Sequence, residues 1–396
     1  MIMRKLTFNL LLCVLMLAGL SATAQDSGYK FEEIYNVKTT SVKNQQSTGT
    51  CWCFATVSFI ETELLRTLNK EYDLSEMFIT RNAFVEKGKK YFRFHGKTNF
   101  SEGGQAHDVL MMMDKYGIVP EEAYLGLNYG SDYHIHAEMV AELKGILDGL
   151  NKNKNRKIST AWETAFTRFI DTYLGEQPET FKVDNKTTSP KEFYKSLKFD
   201  SKDYVEITSY QCYPFYEQVE LEIPDNWTHS RYYNLPIEEL IEVMDNALAN
   251  NYSFAWDGDV SEKGFSHRNG LAILPTSNKD KMVNSEMSKW DNVSAKEIKE
   301  KMFKEPVPEA KVNDALRQEK FDNRKTTDDH LMHITGLYKD QNGTKYYLVK
   351  NSWADDSNKY GGYLKMSESY AKLQTVAIMV HKDAIPRKIA KKLGIK

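Results

Sequence analysis

The segment CWCFATVSFIETELLRTLN, residues 51–69, constrains this chain most. Phe54, Val57, Glu61 and Leu64 recur at helical spacing, with Ile60, Leu65 and Leu68 filling in. That stripe predicts an amphipathic helix that begins near Cys51 and needs a core to pack on. The loop before it, KNQQSTGT, is polar, and its Ser47, Thr48 and Thr50 carry the hydroxyls that cap helix starts. A cysteine is thereby placed in a helix's first turn.

The rest of the chain divides by periodicity. A second helix follows DLSE (Asp73 to Glu76), and a third, AHDVLMMMDKYG, follows the turn SEGGQ and ends at Gly117. From about Tyr133 to Leu197 the pattern is helical and charged, broken at NKNKNRK. DYVEITSY, YEQVELEIP, HLMHITGLY and TKYYLVKNSW then read as strands, and the segment from Phe31 to Val42 as extended. Ser277 to Lys325 is charged and poorly periodic, as an insertion with short helices would be. Helices first and strands second predict an α+β protein with a cleft between two subdomains. Insertions are placed at about 130–200 and 277–325.

Residues 1–24 read as a leader. Arg4 and Lys5 precede an apolar run from Leu6 to Leu20, and Ala22-Thr23-Ala24 supplies small residues for cleavage before Gln25. The mature domain is then 25–396, secreted or periplasmic, with no membrane role beyond export. Cys51, Cys53 and Cys212 remain, an odd set that makes no disulfide framework; a Cys53–Cys212 pair stays open. No metal-site spacing is present, since Cys51 and Cys53 are two apart with no histidine pair nearby, and no cofactor is expected. A formal charge of -2 gives no reason to expect nucleic acid as a partner. The basic tail Arg387, Lys388, Lys391, Lys392 and Lys396 reads as a solvated helix face.

At a helix start, unpaired N–H groups and the helix dipole favour thiolate over thiol, which makes Cys51 a candidate nucleophile. Gln45, six residues earlier, carries an amide able to donate to an oxyanion beside that sulphur, together with the Cys51 N–H. A thiolate needs a base, and the base needs an orienting group. His330 and His333 are the candidates; three apart on a strand they point to opposite faces, so only one can face Cys51. Asn351 offers a carbonyl to the base's other nitrogen, and Trp353 a cover for that bond. Cys53 reads as core, and His107 as a packing or helix-surface residue.

These motifs together resemble a known family. NQQSTGTCWCFA is similar to the NQxxSGxCWxFA signature of bleomycin hydrolase and aminopeptidase C, a branch of the papain superfamily, with Gln45, Cys51 and Trp52 on the signature. In the superfamily's histidine strand a glycine follows six residues after the base; Gly336 fits His330 and not His333. VKNSW resembles the asparagine motif, Trp353 included. SEGGQ and KYGIVP resemble NDGGQ and KYGVIP, and further landmarks keep the family's order from about Asn36 to Pro386. The resemblance implies a papain-like fold whose C-terminal half is an antiparallel, barrel-like sheet. It implies a cysteine peptidase acting on peptide substrates through Cys51, His330, Asn351 and Gln45. Gly103 and Gly104 would bind the substrate main chain, with Trp52 and Trp353 beside the site.

The chain departs from the family at its end. An arm like PWDPMGALA, whose terminal carboxylate holds a substrate's amino group, is replaced by VHKDAIPRKIAKKLGIK. Aminopeptidase and endopeptidase readings both stand, as does a silent binding protein that kept the fold. The homohexamer common in the family is a weaker expectation for the same reason.

Overall fold

A computed structural model describes residues 28–154, 157–276 and 294–396. The leader at 1–24, and residues 277–293 of the charged segment, lie outside the described residues.

The helices crowd into the first half: α1 (Cys51–Leu68), α2 (Glu76–Arg93), α3 (Ala106–Tyr116), α4 (Ala137–Asn151), α5 (Ala161–Leu174) and α6 (Pro190–Ser196). A small hairpin, β2 (Phe181–Val183) with β3 (Lys186–Thr188), lies between the last two. Ser75 caps α2 by accepting from the Phe78 N–H, and Gly117 at a φ of 85° ends α3. Both boundaries match the sequence.

Among the described residues, eleven strands form one sheet. Its path runs β5 (Gln218–Glu220), β6 (Arg231–Asn234), β4 (Tyr204–Thr208), β13 (Thr375–His381), β7 (Phe254–Gly258), β10 (His330–Asp340), β11 (Lys345–Lys350), β12 (Tyr363–Ser367), β9 (Leu271–Ala272), β8 (Phe265–Ser266); β1 (Phe31–Asn36) pairs with the far half of β10. The pairings are antiparallel except β4–β6 and β9–β12. No pairing joins β5 to β8, so the expected barrel-like closure is absent among the described residues; the path ends in strands of three and two residues, too short to close a cylinder. The remaining helices are α7 (Ile237–Ala249), α8 (Ala295–Lys301), α9 (Asp314–Asp322), α10 (Glu368–Gln374) and α11 (Arg387–Leu393).

Two large cores result. One gathers the apolar sides of α1 to α6, and the other lies between the opposite face of the sheet and α7. Along β10 and β7 the alternation is clean: Leu331 and Ala255 join the helical core, Met332 and Trp256 the other.

α1 begins at Cys51 as predicted, but it runs through the first core and is buried on more than the one face its stripe predicts. Its residues are buried from Cys51 through Leu65 with Ser58 alone partly open, and that includes Glu61 and Glu63. Partners distant in sequence make those charges tolerable. Glu61 accepts from Thr40 Oγ1 at 2.8 Å and the Leu74 N–H at 2.9 Å; Glu63 accepts from Tyr204 OH at 3.1 Å, besides pairing with Arg66 one turn along the helix at 2.6 Å. The predicted hydroxyl cap is absent too. Thr50 occupies the cap position without a side-chain bond, because Thr48 Oγ1 turns to the Gln45 carbonyl at 2.8 Å and to Thr50 Oγ1.

Candidate active site

Where α1 begins, against the start of β10, a cleft of about 770 Å3 opens between the helical half and the sheet. Cys51, Gly103, Gly104 and His330 all line it. Cys51 keeps 9% of its surface exposed there. The backbone N–H of Leu331 lies on the side of its sulphur and favours the ionised form, whereas no hydrogen bond joins that sulphur to the His330 ring. The uncapped start of α1 leaves the Cys51 N–H without a protein partner.

His330 is buried at the first position of β10, and its Nε2 lies 2.8 Å from Asn351 Oδ1. That oxygen also accepts from the Ser352 N–H at 2.8 Å, which fixes it as the acceptor. Nε2 therefore carries the ring proton, and Nδ1 is left with the lone pair. Trp353 lies over the ring, centroids 5.0 Å apart, tilted by 32°. His333, as the strand alternation demands, sits on another face; its Nδ1 is 3.0 Å from Ser58 Oγ, away from the cleft.

Gln45 is buried beside this pair. Its Oε1 accepts from Ser352 Oγ at 2.6 Å and its backbone N–H donates to the Ser352 carbonyl at 2.9 Å, tying the loop before Cys51 to the loop after Asn351. Its Nε2 donates to the Thr48 carbonyl at 2.7 Å; the second N–H has no partner among the described residues.

The glycine pair is sterically required. A Cβ on Gly103 would lie 1.9 Å from Asp225 Oδ2, and one on Gly104 2.7 Å from Asp108 Oδ2 and 3.0 Å from the Trp52 ring. Trp52 is thus the support behind Gly104. It is 1% exposed and donates from Nε1 to the Glu102 carbonyl at 2.9 Å, so it offers no surface to a substrate. Trp353 likewise lies outside the cleft lining, its ring turned to His330 and His267.

The electrostatics differ from the expectation of a thiolate favoured by the helix start. Burial pushes the Cys51 thiol up to about 12; the carboxylates of Asp328, Asp257 and Asp225 add to this, and the Leu331 N–H opposes it. Burial pushes His330 down to about 4, against the Asn351 bond. Desolvation outweighs the helix start, and each partner taken singly is neutral.

Several groups escaped the sequence reading. His267 accepts from Asn351 Nδ2 at 3.2 Å, and nothing in FSHRNG marks it. Asp257 and Asp328 lie against one another beside Cys51; the doubled acid before His330 was the available signal. His107, read as a packing or helix-surface residue, is partly buried, 2.8 Å from Glu206 and 2.7 Å from Thr228; desolvation alone would lower it, but Glu206 raises it to about 9. Cys53 and Cys212 are both free, one buried and one exposed.

This fold, with a cysteine and a histidine at one cleft and an asparagine bonded behind the histidine, defines a papain-like cysteine peptidase. The chain belongs to the Peptidase C1-like family, whose profile matches residues 17–305 and 305–395. It is 23% identical to aminopeptidase W of Lactobacillus delbrueckii subsp. lactis, over 89% of this chain and 83% of that one. It is 23% identical to bleomycin hydrolase of Gallus gallus, over 92% and 85%. A crystal structure of PepW from Lactobacillus rhamnosis superposes with a TM-score of 0.69 at 19% identity, covering 92% of this chain and 84% of that one.

Proposed function

We propose that this chain hydrolyses peptide bonds by acyl transfer to Cys51, as an aminopeptidase of the bleomycin hydrolase type. The observation that carries this is the His330–Asn351 bond, which leaves Nδ1 unprotonated in the cleft that Cys51 lines. A proton passes from Cys51 Sγ to His330 Nδ1 as the sulphur attacks the substrate carbonyl. The transfer leaves the pair's net charge unchanged, so it avoids the cost of charging either buried group alone. The oxyanion is held by the Cys51 N–H and the unpartnered N–H of Gln45. His330 then protonates the leaving amine, and afterwards takes a proton from the water that cleaves the thioester. The substrate main chain lies along Gly103 and Gly104.

The similarity to aminopeptidase W and bleomycin hydrolase supports the exopeptidase form. The two packed halves act as subdomains of one peptidase domain, 25–396, with α4 to α6 as an insertion and a second insertion at 277–325. The leader pattern at 1–24 supports export. The test is Cys51→Ala, with peptide hydrolysis followed by release of the N-terminal residue and the fold by circular dichroism. Hydrolysis falls to background while the spectrum is kept; normal turnover by the variant overturns the assignment.

A further inference from the structure

Asp257 is 3% exposed, and among the described residues neither carboxyl oxygen meets a donor at hydrogen-bond distance, although Gln105 and Asp328 lie against it. On β7 it stands opposite Leu331 of β10. Cross-strand partners share a face of the sheet, so its carboxyl lies on the side where Leu331 meets Cys51 and the cleft. There it rests against Asp328, a cleft-lining residue held by Gln105 Nε2 at 2.9 Å. Asp225 lines the same cleft at Gly103, its Oδ1 held by Asn99 Nδ2 at 2.8 Å and Ser101 Oγ at 3.3 Å. The Cys51 thiol feels all three carboxyls.

None of the three forms an ion pair with a described residue. Lys87, whose charge reaches Asp225, donates instead to the carbonyls of Ser101 and Gly103. Unpaired carboxyls in a desolvated place are costly. Burial raises Asp328 to about 7 and Asp257 well above the carboxylate range, so the pair retains a proton near neutrality. A buried acid pair without a structural cation, adjoining a nucleophile, is arranged for a cation that comes with the substrate.

We infer that Asp257 and Asp328, with Asp225 across the cleft, form a subsite for a substrate ammonium group beside Cys51. The inference rests on the hydrolytic reading above and extends it to a class of substrate. An ammonium is compact and carries three donors, which match the carboxyl oxygens that Asp328 and Asp225 present to the cleft, with Asp257 buried behind them. Two sources supply that chemistry: the free N-terminus of a peptide, or a lysine side chain N-terminal to the scissile bond.

The test is calorimetric binding to the full-length Cys51→Ala chain, which does not depend on turnover. Three short alanine-based peptides serve as probes: one with a free N-terminus, one N-acetylated, and one N-acetylated with lysine at the first position. At least one ammonium-bearing probe binds about tenfold or more tighter than the neutral one, and which of the two does so names the source. Asp328→Asn removes most of that preference, and Asp257→Asn, which keeps shape and removes the carboxyl that shares the pair's proton, reports the same effect from behind the wall. The subsite is overturned if the neutral probe binds equally well, if no probe binds, or if the preference survives both substitutions in folded protein. Hydrolysis of the same peptides by the unaltered chain is scored separately, so failure of the peptidase reading is not confused with failure of the subsite.

Discussion

Asn351 holds His330 from one side and is itself held from two. Its Oδ1 takes the His330 Nε2 proton at 2.8 Å, while its Nδ2 donates to His267 Nδ1 at 3.2 Å. His267 Nε2 then donates to Ser357 Oγ at 2.7 Å, so one run of bonds from Ser357 to His330 fixes both ring tautomers.

Asn351→Ala frees the His330 ring to rotate and to exchange tautomers. The lost interaction is strongest when the ring is charged, and such bonds are worth about 1.5–3 kcal/mol. We expect kcat to fall about tenfold to a hundredfold with KM little changed. A fall in KM-derived affinity alone would place Asn351 in substrate binding instead.

Gln45 does two things at once, and two variants separate them. Ser352→Ala removes only the hydroxyl that Gln45 Oε1 accepts from, while Gln45→Ala loses that bond and the oxyanion donor together. Removal of one oxyanion donor costs about 2.7–4 kcal/mol in the transition state. Gln45→Ala should lose kcat by roughly a hundredfold or more, whereas both variants lower the thermal midpoint and Ser352→Ala keeps most of kcat. Thermal melts beside steady-state kinetics check the separation.

The two glycines should fail differently. Gly103→Ala drives a methyl into Asp225, whose side chain has to leave Asn99 and Ser101. Gly104→Ala presses on Trp52 and Asp108, both fixed, since Asp108 Oδ2 holds the Gln105 N–H at 3.0 Å and Trp227 Nε1 at 2.7 Å. Overpacking a fixed site costs about 1–3 kcal/mol. Gly104→Ala should therefore be the more destabilising in urea, and Gly103→Ala the more selective in raising KM.

Much of this site was legible because it depends on local order. Cys51 sits at a helix start set by its own stripe, and the choice of His330 over His333 follows from strand alternation and the place of Gly336. Ionisation was not legible. The helix start argued for a thiolate, but the thiol lies among Asp328, Asp257 and Asp225, which three separate elements bring together only in the fold. The burial of α1 was hidden for a similar reason: Glu61, counted in the stripe, and Glu63 give no sign of burial until Lys43, Thr40 and Tyr204 are seen beside them. His267 reaches Asn351 across 84 residues, a contact no local pattern announces.

A pH profile of kcat/KM tests the neutral pair directly. His330 accepts the thiol proton only in its neutral form, and its buried ring is pushed down to about 4. The acid limb should lie near pH 4, with activity kept at pH 5, where an ordinary imidazole would already be protonated. Because burial holds Cys51 up near 12, no alkaline limb from the thiol should appear below pH 9.

Acid should unfold the chain through a different pair. His136 is fully buried with both ring nitrogens unpartnered, its ring 5.9 Å from that of His134 and 6.1 Å from that of Phe84. Burial, with some help from His134, lowers it from the usual 6.5 to about 3. The unfolded chain therefore takes up a proton that the folded chain refuses. The sign follows: stability is full above pH 6.5, declines as pH falls, and is lost down to about pH 3, by at most about 5 kcal/mol at 1.36 kcal/mol per pH unit. The consequence reaches the site, because the His134 carbonyl accepts from the Ser47 N–H at 3.1 Å and the His136 N–H donates to the Ser47 carbonyl, bracing the loop before Cys51. His136→Gln, which cannot titrate, should flatten the urea midpoint between pH 6.5 and 4 relative to the unaltered chain. An unchanged slope would assign the acid sensitivity to His330 and His333, which are also buried in the neutral form.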